Sequence, residues 1–253
     1  AGVYNNVVGT FNIAKLADEL EVENMVLIST DKAVRPTNIM GASKRMSELI
    51  LQAYADLSTC CFSMVRFGNV LDSSGSVIPK FRQQINERKP LTLTHPEITR
   101  FFMTIKEAAE LVIQAGAMAN GGDVFVLDMG DPIKIYDLAK KMIQLSGLKL
   151  KDSKNPNGDI EILITGLRPG EKLFEELLIE NNSLPTKHPK IFKAHDKFIS
   201  WNQLEREIIN LEKSIANNEF KNIIDILSKL VVGYNPSDEI VDYVFNEKIK
   251  KDI

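Results

Sequence analysis

An α/β fold built on a parallel sheet is predicted by three observations. Short apolar runs rich in branched residues recur along the chain, amphipathic helical segments separate them, and polar side chains gather where the runs end. Residues 2 to 20 carry Val7, Val8, Phe11, Ile13, Ala14, Leu16, Ala17 and Leu20 on one broad apolar face, which reads as a helix packed on a sheet. Met25-Val26-Leu27-Ile28 is short, branched and apolar throughout, the pattern of a buried parallel strand. A helix from Met40 to about Leu57 shows Met46, Leu49, Ile50 and Ala53 at helical spacing, and Phe62 to Val70 is a second buried strand ending in Gly68-Asn69. A helix from Val77 to about Glu87, an alternating edge strand at 91–94, a helix at 105–116, a strand at 124–127, a helix from 135 to 147 and a strand at 160–165 follow. A further helix is expected from near Lys172, and charged helices at 201–217, 220–232 and 238–250 close the chain. Two of these are striped, one by Leu204, Ile208, Leu211 and Ile215 and the other by Ile223, Ile226, Leu227 and Leu230, which predicts a helical cap or a contact between copies and hence a homo-oligomer.

Composition removes several classes of function. The 253 residues are 44% hydrophobic, enough for a substantial core, and a net charge of -3 without a long basic block argues against a nucleic-acid partner. Cys60 and Cys61 are adjacent in an expected strand, where their side chains alternate faces, so they read as reduced thiols of a cytoplasmic chain. No apolar run reaches the roughly 20 residues a membrane helix needs, so this segment is expected to make no membrane contact. His95 has no second histidine or cysteine at ligand spacing, so no metal is expected.

The chemistry concentrates at strand ends. In open α/β sheets ligands sit beyond the carboxyl ends of the strands, which puts Ser29, Thr30, Asp31 and Lys32 at a ligand crevice. Asn38 is placed to cap a helix whose Met40 and Lys44, four apart, look back at that edge. The second strand ends in Phe67-Gly68-Asn69-Val70, and one loop further on Asp72-Ser-Ser-Gly-Ser76 opens the helix at Val77, whose free amides and positive dipole end suit an anion. Lys80, one turn inside, adds a full charge on the same side. Two further strings stand out, Thr94-His-Pro-Glu-Ile-Thr-Arg100-Phe-Phe-Met-Thr104 and the tight loop Gly166-Leu-Arg168-Pro-Gly170-Glu171-Lys172. Nowhere does a G-x-G-x-x-G follow a strand, the loop by which a dinucleotide pyrophosphate meets a helix N-terminus.

A serine at a strand end followed by Y-x-x-x-K marks the short-chain dehydrogenase/reductase superfamily, which this chain resembles with Met40 in the tyrosine place. Asn6-Val-Val-Gly9-Thr10 is similar to the N-x-x-G-T of its extended members. Together with T-D-K, M-G-A-S-K, T-H-P-E-I-T-R-F-F-M-T and R-P-G-E-K, the chain resembles the UDP-N-acetylglucosamine 4,6-dehydratases of capsule and O-antigen synthesis, the CapD-like proteins. That family usually has G-S-S-G-S-V where this chain has Asp72 first.

The resemblance implies the C-terminal part of a Rossmann-type doubly wound sheet. Residues 1–70 would be the second half of the NAD(P)-binding domain, 71–200 a smaller substrate-binding lobe with returning Rossmann elements, and 201–253 a helical extension. The glycine loop would lie upstream and the isolated segment would be inactive. The cofactor would be NAD or NADP, with NAD favoured, held by Ser29, Lys44, Phe67, Gly68, Asn69 and Val70. The partner would be UDP-N-acetylglucosamine, held by Asn69, Ser76, Val77, Lys80, Thr92, Arg100, Arg168 and Glu171, with Thr92 toward the uracil and the arginines toward phosphate. A thioether moves no proton, so catalysis would pass from Met40 to its neighbours. Asp31 would be the acid at the C6 hydroxyl and, with Thr30 or a water, the route for the C4 proton, while Lys32 would be the C5 base, left neutral part of the time by burial beside Lys44 and the cofactor's positive ring. The product would be a 4-keto-6-deoxy sugar with C5 retained. A C4 epimerase, a C5-inverting dehydratase and a non-catalytic nucleotide-sugar binding module remain as alternatives. Large members of the family carry membrane helices, so the intact protein is expected in the cytoplasm or at the inner membrane.

Overall fold

A computed structural model of the chain describes residues 1–176 and 183–236. In chain order, α1 (Gly9–Glu19) leads through β1 (Asn24–Ile28), α2 (Ile39–Tyr54) and β2 (Cys61–Arg66) to β3 (Asn69–Val70) and α3 (Val77–Asn86). Next come β4 (Leu91–Leu93), β5 (Thr99–Arg100), β6 (Phe102–Met103), α4 (Ile105–Ala117), β7 (Asp123–Leu127), β8 (Ile133–Lys134) and α5 (Ile135–Leu145). The chain finishes with β9 (Ile162–Ile164), β10 (Ser183–Pro185), β11 (Ile191–Ala194), α6 (Trp201–Ala216) and α7 (Phe220–Leu230).

The main sheet has the order β1-β2-β7-β11-β10. β1, β2 and β7 run parallel, with Asn24 opposite Cys61 and Ser63 opposite Asp123, and β11 returns antiparallel to β7. This is the α/β class with a parallel core that the apolar runs predict. β1 is less covered than a central strand, and Ile28 is 46% exposed, because β1 lies at the sheet edge and pairs on one side only among the described residues. The remaining short strands pair as β3-β6, β4-β9 and β5-β8, and α3 and α5 pack over β4 through Phe81, Ile85, Leu91, Leu93, Ile135 and Ile143.

Four expectations change. The run from Phe62 to Val70 is two strands: β2 stays in the main sheet, and β3 turns away at Gly68 to pair with β6. The chain is pressed close there, since a β-carbon on Gly68 would lie 3.2 Å from the Phe101 β-carbon. The broad face expected of the first helix is narrower, because Val7, Val8, Ala14 and Ala17 are buried while Ile13, Leu16 and Leu20 are exposed. That helix also opens with a π-turn at Tyr4–Val8, in which Asn6 Nδ2 donates to Ser43 Oγ at 2.8 Å and ties it to α2. No helix begins at Lys172, for residues 172–176 are irregular and 177–182 lie outside the described residues.

The C-terminal stripes form a cap. Leu204, Ile208 and Leu211 of α6 and Ile223, Ile226, Leu227 and Leu230 of α7 pack on Val7, Met46, Leu49, Ile50 and Ala53 in one core. The surfaces that suggested a contact between copies are therefore used within the chain. The helix expected at 238–250 lies outside the described residues. No helix among the described residues is long and apolar enough to cross a membrane.

Candidate active site

The carboxyl ends of β1 and β2 set the site. Backbone bonds from Ser29 N–H to Val65 C=O and from Asp31 N–H to Phe67 C=O carry the β1–β2 pairing past the end of β1. Thr30 is extended and caps a 3-10 turn at Asp31–Ala33, its hydroxyl donating to Asp31 Oδ1 at 2.8 Å and accepting from the Lys32 N–H at 3.3 Å. The Asp31 side chain is buried, and its Oδ2 has no partner among the described residues. The start of α2 is pressed onto this turn. Asn38 caps α2 by accepting from the Gly41 N–H at 2.9 Å, as its position predicts, and a β-carbon on Gly41 would overlap the Lys32 carbonyl oxygen. Gly41→Ala is accordingly expected to move α2 off the turn and cost about 1–3 kcal/mol of stability, measured by chemical denaturation.

The R-P-G-E-K loop docks on the same corner. Gly170 has φ +71°, its carbonyl accepts from Thr37 Oγ1 at 2.7 Å and Asn38 Nδ2 at 3.2 Å, and a side chain there would run into the Thr37 carbonyl. This brings Glu171 to Thr94 Oγ1 at 3.1 Å and to Arg100 at 3.4 Å.

Two adjoining clefts result. The eight residues expected at the nucleotide sugar, Asn69, Ser76, Val77, Lys80, Thr92, Arg100, Arg168 and Glu171, all line the first, which has about 750 Å³ of open space. Burial and the nearby Arg168 guanidinium push the Lys80 amine below its ordinary value, so two cations face one space and an anion between them would relieve their repulsion. Ser76 Oγ is buried there without a partner among the described residues. The second cleft shares Asn69, Arg100, Arg168 and Glu171 and adds Asp31, Lys32 and Met40, the last 44% exposed. Asp72 stands in the left-handed region at φ +62°, the conformation for which a glycine is suited, with its carboxylate turned to Arg82 at 3.0 Å. Asp72→Gly is therefore expected to leave stability within about 1 kcal/mol, since the exposed ion pair contributes little.

Other expected residues lie outside these walls. The Ser29 hydroxyl donates to buried Glu48 Oε1 at 2.5 Å. Lys44 Nζ donates to the Ile28 carbonyl at 2.7 Å at the sheet edge, and burial lowers its pKa against an opposing pull from Glu48. Phe67 acts through its carbonyl, Gly68 through its bareness, and Val70 within β3.

One expectation about Lys32 is corrected. Burial was expected to leave it partly neutral, and burial does lower it, but Asp31 at 3.0 Å and Glu175 at 2.9 Å outweigh that and raise its pKa above the ordinary value. Glu175 escaped the sequence reading because a helix was expected across 172–176. Its only signal was the acidic cluster E-K-L-F-E-E after the loop. Glu48 likewise looked like an ordinary helical glutamate, yet it accepts from Arg66 Nε at 2.8 Å and Arg45 at 3.0 Å with its side chain wholly buried.

A parallel sheet with polar groups converging beyond its carboxyl edge defines a Rossmann-type α/β protein. The chain belongs to the polysaccharide biosynthesis protein family, which it matches over residues 1–196. It is 55% identical over 194 residues to the capsular polysaccharide biosynthesis protein CapD of Staphylococcus aureus, covering 76% of this chain and 31% of that protein. It is 37% identical over 179 residues to a UDP-glucose 4-epimerase of Rickettsia rickettsii, covering 70% of this chain and 49% of that protein. Among solved structures, that of Pen from Bacillus thuringiensis superposes with a TM-score of 0.67 at 34% identity, over 82% of this chain and 68% of that one. The chain thus spans less than half the length of these two curated relatives.

Proposed function

We propose that the protein carrying this chain is an NAD(P)-dependent UDP-N-acetylglucosamine 4,6-dehydratase, with NAD the favoured cofactor, serving the synthesis of a surface polysaccharide. The observation that carries this reading is the meeting of Asp31 and Lys32 with a cleft walled by Lys80, Arg100 and Arg168. Those cations suit the diphosphate of a nucleotide sugar, and the shared wall at Asn69 and Arg100 leads from it to the carboxylate and amine.

For the dinucleotide, this chain supplies only one end of a site. Lys44 at the sheet edge would hold the nicotinamide ribose, with Ser29 after β1, Phe67 and Gly68 after β2, and Asn69 and Val70 of β3 completing the site. The sequence holds no glycine loop for the pyrophosphate, which the proposal places upstream. Bound there, the cofactor would supply reversible hydride transfer, from C4 of the sugar and back to C6. Asp31, with Thr30 hydrogen-bonded to it, takes the C4 hydroxyl proton and later protonates the departing C6 hydroxyl. Lys32 removes the C5 proton that the new ketone acidifies and, once hydride has reached C6, returns a proton to C5. Met40 replaces the tyrosine of the superfamily, which favours retention at C5. The second reading is a 4-epimerase, favoured by the Rickettsia relative's name, but epimerisation needs no carboxylate and amine pair at the strand end.

The test is to incubate the full-length protein with UDP-N-acetylglucosamine in D₂O. A 4-keto-6-deoxy product deuterated at C5 is expected. A 4-epimer with unlabelled C5 establishes the epimerase, and nucleotide binding without turnover establishes a binding module. UDP alone is expected to stabilise the protein by about 2.7 kcal/mol at a hundredfold excess over its Kd. Arg168→Ala is expected to remove most of that gain in a thermal-shift titration.

A further inference from the structure

The general base assigned to Lys32 must be neutral when it acts, yet the structure surrounds its amine with carboxylates. Lys32 Nζ donates to Asp31 Oδ1 at 3.0 Å and to Glu175 Oε1 at 2.9 Å, and these two carboxylates, 0% and 3% exposed, reach it from the 3-10 turn and from the loop after Gly170. Glu175 is itself held firmly: its carboxylate pairs with Arg100 Nε at 3.2 Å and accepts from Asn69 Nδ2 at 3.2 Å and the Phe101 N–H at 3.4 Å. One side chain that no part of the proposed chemistry uses therefore touches the base, the arginine proposed for phosphate and the asparagine between the clefts.

We propose that Glu175 is a positioning residue which, with Asp31, clamps the Lys32 amine and determines the pH at which that amine becomes able to take a proton. The inference rests on the dehydratase reading for its catalytic consequence, and on the geometry alone for the clamp. The charged groups facing the cluster are Asp31 from the turn, Arg100 from β5, and Glu171 and Arg168 from the docked loop. Lys172 and Glu176 pair with each other, and Glu176 also pairs with Arg35. Burial, and next the Asp31 carboxylate, push Glu175 above the usual carboxylate range, against the pull of Lys32 and Arg100, which is the behaviour of two acids sharing one ammonium. Removing the Glu175 charge leaves Lys32 with one carboxylate and with the burial that disfavours its charged form. An opposite charge at this range shifts a titration by about one to three units, so the lysine should titrate lower by an amount in that range.

The experiment uses the full-length protein and Glu175→Gln, which keeps the shape and removes the charge. The pH of half-maximal deuterium incorporation at C5 is measured, and in parallel the pH dependence of acetic anhydride labelling at Lys32 by mass spectrometry, which requires no turnover. Both midpoints are expected to move to lower pH by about one to three units. A fall in rate with both midpoints unmoved overturns the proposal and leaves Glu175 a structural residue. If the wild-type protein forms no keto product while the labelling midpoint still shifts, the dehydratase reading fails and the clamp stands. Should Glu175→Gln fail to fold, Glu175→Asp decides, since its shorter carboxylate is expected to shift the Lys32 labelling midpoint in the same direction, and an unmoved midpoint overturns the clamp.

Discussion

Lys32→Ala in the full-length protein is expected to abolish deuterium incorporation at C5 and to lower dehydration about 10²–10⁴-fold, the usual effect of removing a positioned acid or base. UDP binding should survive, because Lys32 is absent from the walls of the cleft that holds Lys80 and Arg168. Lys32→Arg should fail as completely as alanine, since a guanidinium keeps its charge at every working pH and cannot accept the C5 proton. The measurement is proton NMR of the sugar in D₂O alongside a nucleotide-binding titration. Wild-type incorporation in Lys32→Ala would remove the lysine from the mechanism and leave the carboxylates of that cleft, Asp31, Glu171, Glu175 and Glu176, as candidates.

Glu48→Gln is expected to cost about 3–5 kcal/mol of stability, the range for breaking a buried ion pair from one side. Glu48 lies between Arg66 and Arg45, Arg66 also meets Asp196 at 2.5 Å, and the Ser29 hydroxyl completes the cluster. Removing one charge leaves two wholly or nearly buried guanidinium groups to share the single carboxylate of Asp196, and Arg66 already has an NH1 without a partner among the described residues. Burial pushes the Glu48 carboxyl up, but the charge and hydrogen bonds of Arg66, then Arg45 and Ser29, outweigh it and bring it down from 4.5 to about 2. A folded-state pKa below the unfolded one contributes stability that is present above pH 4.5 and lost as pH falls toward 2. That contribution is about 3 kcal/mol, so the gap between wild type and Glu48→Gln should narrow through this window in denaturation curves taken at successive pH values. A constant gap would mean that the cost is one of packing. Because the cluster joins the ends of β1 and β2 to α2 and to the segment after β11, it also fixes Ser29 at the end of β1.

Much of the candidate site was legible because its residues come in short strings whose spacing needs little tertiary knowledge. T-D-K follows a strand, M-G-A-S-K opens a capped helix and R-P-G-E-K is a tight loop, and local geometry alone sends each side chain toward a strand end. The residues expected at the sugar nucleotide accordingly line one cleft, and Asp31, Lys32 and Met40 line its neighbour. Glu175, Glu48, Arg45, Arg66 and Asp196 were not legible, since an isolated acid or base in an amphipathic pattern looks the same whether it meets water or a buried partner.

The sequence by itself determined the α/β class, the parallel strands and the Asn38 cap of α2, because apolar periodicity and capping chemistry act within a few residues of their cause. Tertiary structure decided the direction in which the Lys32 pKa moves, since one of the two carboxylates that raise it lies 143 residues away in sequence. It also decided that the C-terminal stripes close over α2, since an apolar face records that it must be covered and not by what. Electrostatics and burial act through space, so these outcomes exist only once the chain has brought its distant parts together.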